Sequence, residues 1–391
     1  MPPSSGIGRR IAYHRGVASM TQQQLADAAS IHVGTLRKIE RGARGAGDSV
    51  LEAIAAGLGL DPSILLADRA QASARIQHAL PDLSAVIAAY DVPEDGPVRA
   101  LEELQASVAE SASWRLAAQY VRIVRHVPEL LTELFRAFHT ATSEQQPEIA
   151  RLLVSACRSA DAVAYKHGAH DLSARLIDLM RWAAPHTDDR LIDSVVAYVR
   201  TETFFAAYAH SSGLRALQRA MDAAPPPTLA PSIAALGALH MRAAVIAGRA
   251  GDVDAADFHL TQARHLGDQV AEGIYAGTAF GPCSVRIHEV SVAVSLGSDH
   301  VQRALDVARE WVPPPDLPAE RRSGFYIELG RAQLWAGLPD DAFESLKVAR
   351  RIAPQHTRDH RWVREDAATL RRLKRADAES LSSFAEWCHA V

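Results

Sequence analysis

Residues 21–42 read TQQQLADAASIHVGTLRKIERG, and the apolar positions within this stretch predict two short helices joined by a tight turn. Leu25, Ile31, Leu36 and Ile39 supply a common inward face, and Ala26 is small where two helices must cross. Thr21 stands where a hydroxyl caps a helix N-terminus. The spacing places helices over Thr21–Ala29 and His32–Arg41, with the turn at Ser30-Ile31. Outward from this pair, Ser, Gly and Asp-Pro punctuation marks three more helices, at Ile7–Val17, Asp48–Leu58 and Asp61–Ala67. Each is too short to be stable alone. The five must therefore share one core, for which Ile11, Leu25, Leu36, Ile39, Leu51, Ile54, Leu58 and Leu65 have the right spacing.

This end of the chain is basic. Arg9, Arg10, Arg15, Arg37, Lys38, Arg41 and Arg44 face only Asp27 and Glu40 among the first 45 residues, although the whole chain carries a formal net charge of -4. Such a positive end suits phosphate contact. The acidic remainder is unsuited to lying along DNA.

With 391 residues the chain exceeds one ordinary core. Ala and Leu dominate its apolar content and strong helix formers prevail in nearly every window, which predicts an all-α protein. No uninterrupted apolar run reaches bilayer-spanning length, and MPPSSGIGRR at the start lacks the apolar core of a signal peptide, so a cytoplasmic location and no membrane partner are expected. Cys157, Cys283 and Cys388 are widely separated and suggest structural thiols, with no zinc, no disulfide and no cofactor. Asn is absent.

Residues 69–96 read as a helical linker, broken at Leu80-Pro81 and ending in the turn-rich Val92–Pro97 segment. From 97 to 391, helices come in pairs, and glycines near Gly168, Gly213, Gly251, Gly297 and Gly337 recur at intervals of roughly forty residues, the mark of stacked helical hairpins. The clearest unit is 323–356, where Tyr326, Leu329, Gly330, Ala342, Leu346, Ala349 and Pro354 occupy the large, small and terminating positions of a tetratricopeptide repeat. A second runs from 237 to 270, and a third, with a longer turn, from 278 to 312. The C-terminal helix, Asp377 to Cys388, aligns Leu381, Phe384 and Trp387 on one stripe, as the cap of such an array would.

Residues 9–66 resemble the Cro/C1 (Xre) helix-turn-helix family, through Arg15 before the TQ turn, Glu40-Arg41-Gly42 after the third helix, and Ala55 to Leu60 ahead of Asp61-Pro62. The resemblance implies a five-helix lambda-repressor-like fold at residues 1–68 and a structural ion pair between Arg15 and Glu40. It implies DNA contact from Gln22 and from His32, Val33, Gly34, Thr35, Arg37 and Lys38 in the major groove, with Thr35, Arg41 and Arg44 holding phosphates. Two residues depart from the family pattern. Ser30 replaces a turn glycine and would need a left-handed backbone, and Gly34 weakens its helix by about 1 kcal/mol relative to Ala. A reader followed by repeats is similar to actinobacterial Xre regulators with tetratricopeptide-like domains. It is also similar, in layout only, to the peptide-receptor regulators of Gram-positive quorum sensing, whose Asn side chains on the peptide backbone have no counterpart here.

If a small-molecule or peptide effector enters the concave side of the repeats, first-helix positions line its site: Arg242 and Arg249, then Ser284, His288 and Ser291, then Arg331 and Trp335. Phe280 joins them because Thr278–Ser284 breaks a helix beside that surface and exposes backbone groups. Three arginines favour an acidic or phosphate-bearing ligand or a peptide carboxylate. His167, His170 and Asp171 could ligate a metal but lack further ligands at suitable spacing, and read as exposed loop residues. His356 and His360 on one helix face are similarly weak. No phosphate-binding glycine loop, GxSxG or HExxH occurs, so no enzyme is expected. The expectation is a homodimeric, sequence-specific regulator of transcription, bound to double-stranded DNA and controlled through its repeats. The alternative is a repeat scaffold that binds proteins and hardly touches DNA.

Overall fold

The computed structural model describes residues 7–18, 20–60, 65, 69–373 and 378–390. Apart from one short β-hairpin these are helices, turns and loops, and the chain divides into two units, residues 1–77 and 78–391.

In the first unit, α1 (Ile7–Val17), α2 (Gln22–Ala28), α3 (Val33–Glu40) and α4 (Asp48–Gly57) precede the start of α5 (Arg69–Ala88). Of the expected core, Ile11, Leu25, Leu36, Ile39, Leu51, Ile54 and Leu65 are buried and Leu58 is half-buried. Apart from Leu65, the expected helix Asp61–Ala67 lies outside the described residues. Thr21 opens α2 with a capping box: its Oγ1 accepts from Gln24 N at 3.1 Å, and its own N–H donates to Gln24 Oε1 at 2.8 Å. Ser30 closes the same helix in the left-handed region, φ 50°, where Ile31 N–H reaches the Ala26 carbonyl at 2.9 Å. Gly42, φ 73°, ends α3 with the equivalent bond from Ala43 to Lys38. A Cβ on Gly8 would lie 2.0 Å from the Ile39 carbonyl oxygen, so only glycine lets α1 rest against the end of α3.

The segment expected as a helical linker, 69–96, holds one helix followed by an irregular strap. Helix α5 runs through Pro81 without stopping at Leu80, and the division between units falls within it, after Gln77. The strap that follows is pinned by Arg136, which donates to the carbonyls of Glu94 (2.8 Å) and Pro97 (2.5 Å).

The second unit continues as pairs of antiparallel helices: α6 (Leu101–Leu116) with α7 (Tyr120–Thr140), α8 (Gln146–Lys166) with α9 (His170–Ala183), α10 (Arg190–Ala206) with α11 (His210–Ala223), and α12 (Ala230–Arg249) with α13 (Val253–Gly267). After β1 (Gly273–Tyr275) and β2 (Thr278–Phe280) come α14 (Pro282–Leu296) with α15 (Val301–Glu310), and α16 (Ala319–Trp335) with α17 (Pro339–Ile352). The short α18 (Pro354–Asp359), α19 (Arg361–Leu373) and α20 (Ala378–Trp387) finish the chain. The first helices of successive pairs pack side by side as an inner layer, which is the arrangement of an α-solenoid.

Most pairs turn through one left-handed residue, at Ala118, Gly168, Tyr208, Gly251 and Gly337, each followed by an N–H bonded back to a carbonyl five residues earlier. Gly213 does not belong to this series. It lies inside α11, where a Cβ would come 3.0 Å from Ile246 Cδ1, so it marks a helix contact. Leu381, Phe384 and Trp387 are buried against α16, α17 and α19, so the last helix covers the end of the array with its apolar stripe. Helix α12 is long and apolar enough to cross a membrane by composition, yet 67% of that window is buried by its neighbours.

The array also closes on itself. Gln355 of α18 accepts from Val121 N–H of α7 at 3.0 Å. Lys166 of α8 meets Glu320 of α16 at 2.6 Å, and Arg361 NH1 donates to Tyr208 OH at 3.4 Å. Inside this closure the inner helices surround a chamber.

Candidate functional site

Two groups of side chains could carry function, one in each unit. In the first unit, Arg15 Nε bonds Glu40 Oε1 at 2.7 Å while its NH1 holds the Met20 carbonyl at 2.9 Å, which fixes α1, the TQ turn and the end of α3 together. Gln22 bridges α2 to α3: its Nε2 donates to Glu40 Oε2 at 2.6 Å and its Oε1 accepts from Arg37 Nε at 3.4 Å. His32 precedes α3 and caps it, Nδ1 accepting from Gly34 N–H at 3.0 Å. This differs from its expected place on the helix, and it explains Gly34. A Cβ there would come within 3.0 Å of His32 Nδ1, so glycine makes room for the cap.

His32, Arg37, Lys38, Arg41 and Arg44 are exposed, and Val33, Gly34 and Thr35 are half-buried. Arg41 also donates back to the Arg37 carbonyl at 3.2 Å. Arg10 does not join the basic surface. It is buried and its Nε donates to the Leu65 carbonyl at 3.0 Å, so it serves the core.

In the second unit the chamber encloses about 220 Å³. Arg242, Arg249, His288 and Ser291 line it, as do Arg115, Arg158, Lys166 and Arg321, which carry no sequence signal of their own. The acids are Asp161, Glu202, Glu320 and Glu328, and His356 and His360 complete one side. Four of the expected effector residues do not line it. Phe280 is fully buried as a packing group against Gly237. Ser284 is spent on Glu272, with N–H and Oγ at 2.9 and 2.6 Å from its carboxylate, a cap for α14. Arg331 is committed to Asp366 (2.9 Å) and Glu365 (2.7 Å) across to α19. Trp335 sits at the outer end of α16, 41% exposed.

The helix break at Thr278–Ser284 is the second strand of the hairpin and the start of α14. Its two-residue tip, Ala276 (φ 45°) and Gly277 (φ 76°), has the doubly left-handed turn that suits a tight hairpin. The tip reaches the chamber wall. Arg158 NH1 donates to the Ala276 carbonyl at 3.0 Å and its NH2 to Thr278 Oγ1 at 2.8 Å, and Arg115 NH2 donates to the Gly277 carbonyl at 2.8 Å.

Electrostatics favour a positive chamber. Burial lowers Arg158 to about 9, still protonated at neutral pH. Burial raises Asp161 well above the carboxylate range, and the nearby Glu202 reinforces this. Glu328, which accepts from Ser291, is pushed by burial up to about 7. Glu320 keeps its charge: burial opposes ionisation, but the Lys166 ammonium and the Arg321 guanidinium hold it well below the usual range. Burial would raise the Tyr198 phenol, but Arg242, Arg321 and Arg158 bring it down to about 8, and Arg321 donates to its oxygen at 2.6 Å. His288 is driven by burial and Arg321 down to about 3. Its Nδ1–H can therefore donate to the Ser284 carbonyl while Nε2 accepts from Arg321. At neutral pH six cations thus face fewer ionised acids.

Two of those cations are incompletely satisfied. Arg115 Nε and Arg242 Nε are buried without a hydrogen-bond acceptor, a condition that costs stability unless something binds there. Arg242 otherwise lies over the Tyr198 ring at 4.4 Å and meets Glu202 at 3.4 Å. Arg249 lies over Phe205 at 4.2 Å. His167 lies in the turn after α8, as expected, but approaches Asp359 at 4.0 Å with its side chain 2% exposed, so it is buried where exposure was expected. No group of three or more His, Cys, Asp or Glu that could hold a metal ion occurs among the described residues.

Residues 18–65 match the family model HTH_3, helix-turn-helix, so that segment is a helix-turn-helix domain of the Cro/C1 type. No curated protein matches the chain. Among solved structures, Bacillus thuringiensis PlcR in complex with the peptide PapR7 and DNA is similar over 67% of this chain and 94% of that one, with 14% identity and a TM-score of 0.30.

Proposed function

We propose that this chain is a sequence-specific DNA-binding regulator of transcription, acting in the cytoplasm as a homodimer, whose helical unit responds to an effector in the chamber. The observation that carries the DNA reading is the exposed basic face of α3, Arg37 and Lys38 above all, on a helix whose orientation is fixed by the Arg15–Glu40–Gln22 network. That geometry, in a helix-turn-helix segment, is suited to the major groove. Dimerisation follows from size, because one module gives too little contact and two at fixed spacing read a palindrome. Control by an effector is supported by the chamber's buried, partly unsatisfied arginines. It requires affinity for the effector to differ between DNA-competent and incompetent states. A protein-binding scaffold is less well supported, since contacts such as Gln355–Val121 close the concave face that a partner helix would need.

The test is selection of bound sequences from a random duplex library, with the wild type and an Arg37→Ala/Lys38→Ala variant at two salt concentrations. The expected result is a palindromic site whose affinity drops about a hundredfold or more in the variant, because each side chain paired with a base edge is worth about 1–3 kcal/mol. Weak, salt-sensitive and sequence-independent binding by both proteins would sink the reading.

A further inference from the structure

The β-hairpin is fastened differently at its two ends. Its base is locked by packing: Phe280 is fully buried, and a Cβ on Gly237 beneath it would lie 2.0 Å from the ring. Gly281, φ 146°, passes so close to Glu272 that a Cβ would come 2.5 Å from its Cα. The tip is held instead by polar contacts from across the chamber, where Arg115 and Arg158 grip two neutral carbonyls and the Thr278 hydroxyl. Neither arginine makes a hydrogen bond or close ion pair to a carboxylate among the described residues, their acids acting only at longer range, and Arg115 keeps one donor unused. A hydrogen bond from a guanidinium to an anionic oxygen is roughly twice as strong as one to a neutral acceptor. The hairpin tip is thus a weak occupant of a strong anion-binding fork.

We propose that the tip is an internal stand-in for the effector. A compact metabolite carrying phosphate or carboxylate groups enters the chamber and takes Arg115 and Arg158 from the carbonyls of Ala276 and Gly277. The tip is freed while Phe280 keeps the base in place. This rests on the reading of the chamber as the effector site. The chamber volume of about 220 Å³ is below the roughly 300–1,000 Å³ of drug-sized pockets, which favours a small ligand. The unpaired Arg242 Nε and the surplus of cations favour an anion. A bound anion would also hold Glu328 in its protonated form, so affinity should rise as the pH is lowered through 7. Over the same range protonation of Tyr198 acts in the same direction, while Glu320 stays charged and His288, His356 and His360 stay neutral.

Calorimetry on the full chain with pyrophosphate and with citrate, at matched ionic strength, separates phosphate from carboxylate as the source of the charge. Hydrogen exchange of residues 273–280 reports the tip. One of the two probes should bind with a stoichiometry of one and accelerate exchange at the tip. The Thr278→Val variant, which weakens the internal competitor by one hydrogen bond, should bind that probe about fivefold more tightly. Binding with unchanged exchange and no tightening in Thr278→Val would overturn displacement while leaving the chamber as the site. No binding of either probe by either protein would overturn the anion assignment. The chamber has its own readout in Arg242→Met, whose hairpin contacts are intact. If the folded variant binds the probe as the wild type does, the anion sits elsewhere, and the effector-site reading falls together with the proposal.

Discussion

Arg37, Lys38 and Arg44 of the first unit stand in solvent on or beside one short helix, whereas Arg115, Arg158, Arg242 and Arg249 of the second come from three different helices and meet inside the fold. The first arrangement costs little, because water solvates the charges until a phosphate replaces it. The second loses hydration on folding, and compensates with aromatic faces and backbone carbonyls. A surface reader can therefore be stable when idle. A buried cluster keeps desolvated donors that only an acceptor placed inside the fold can satisfy.

Breaking the Arg15–Glu40 pair tests the first half of this contrast most strongly. Glu40 is only 5% exposed and Arg15 20%, so Glu40→Ala strands a half-buried guanidinium and releases Gln22. A loss of about 2–3 kcal/mol from the unfolding free energy of the first unit is expected in urea titration, with the transition of the second unit unmoved. Equal loss in both units would mean that they do not unfold separately.

Glu328 tests the second half at nearly the same size. Its folded pKa, about 7, lies above the ordinary 4.5, so the folded chain keeps a proton that the unfolded chain releases first. Stability consequently falls as pH rises from 4.5 through 7, and levels off above. Glu328→Gln lacks this penalty. It should match the wild type near pH 4.5 and exceed it at pH 8 by up to about 3 kcal/mol. A constant difference between the two across that range would show that Glu328 is not held in the neutral form.

A smaller effect compares one turn in the two units. Ser30 and Ala118 both occupy left-handed positions after a helix, but Ser30 is exposed and Ala118 is 2% exposed. Ser30→Gly should raise the melting temperature by relieving about 1 kcal/mol of backbone strain. In Ala118→Gly the loss of a buried methyl, worth about 0.8 kcal/mol, should cancel most of that gain. The smallest effect belongs to Gly34→Ala. Helix propensity alone predicts a gain of about 1 kcal/mol, but the new methyl presses on the His32 cap, and the thermal midpoint should barely move. A clear rise would mean that the cap contributes nothing.

The helix-turn-helix was legible because its information is local. Thr21, Leu25, Ala26, Leu36, Ile39 and the Glu40-Arg41-Gly42 ending lie within one short stretch, and each acts on residues a turn or two away. The repeats were legible where glycine marks the turn, as at Gly168, Gly251 and Gly337, and were hidden at Ala118 and Tyr208, where another residue accepts the same backbone strain. First-helix periodicity pointed to Arg242, Arg249, His288 and Ser291 as facing inward. It also pointed to Arg331, whose fate depends on Asp366 and Glu365 of a helix further on. Arg115, Arg158 and Arg321 gave no sequence signal, because what makes them a group is the closure of the array. The hairpin was concealed for a similar reason. Its strands are three residues each and are stabilised by arginines more than a hundred positions away.

That closure also governs how such a protein can change over generations. An open solenoid lengthens freely, since each added hairpin meets only its neighbours. Here the Gln355–Val121 and Glu320–Lys166 contacts join the late hairpins to the early ones, so duplicating or deleting a hairpin would part the seam and empty the interior of its meaning. Change inside the second unit is then confined to exchange of inward side chains, since adding a hairpin would break the seam.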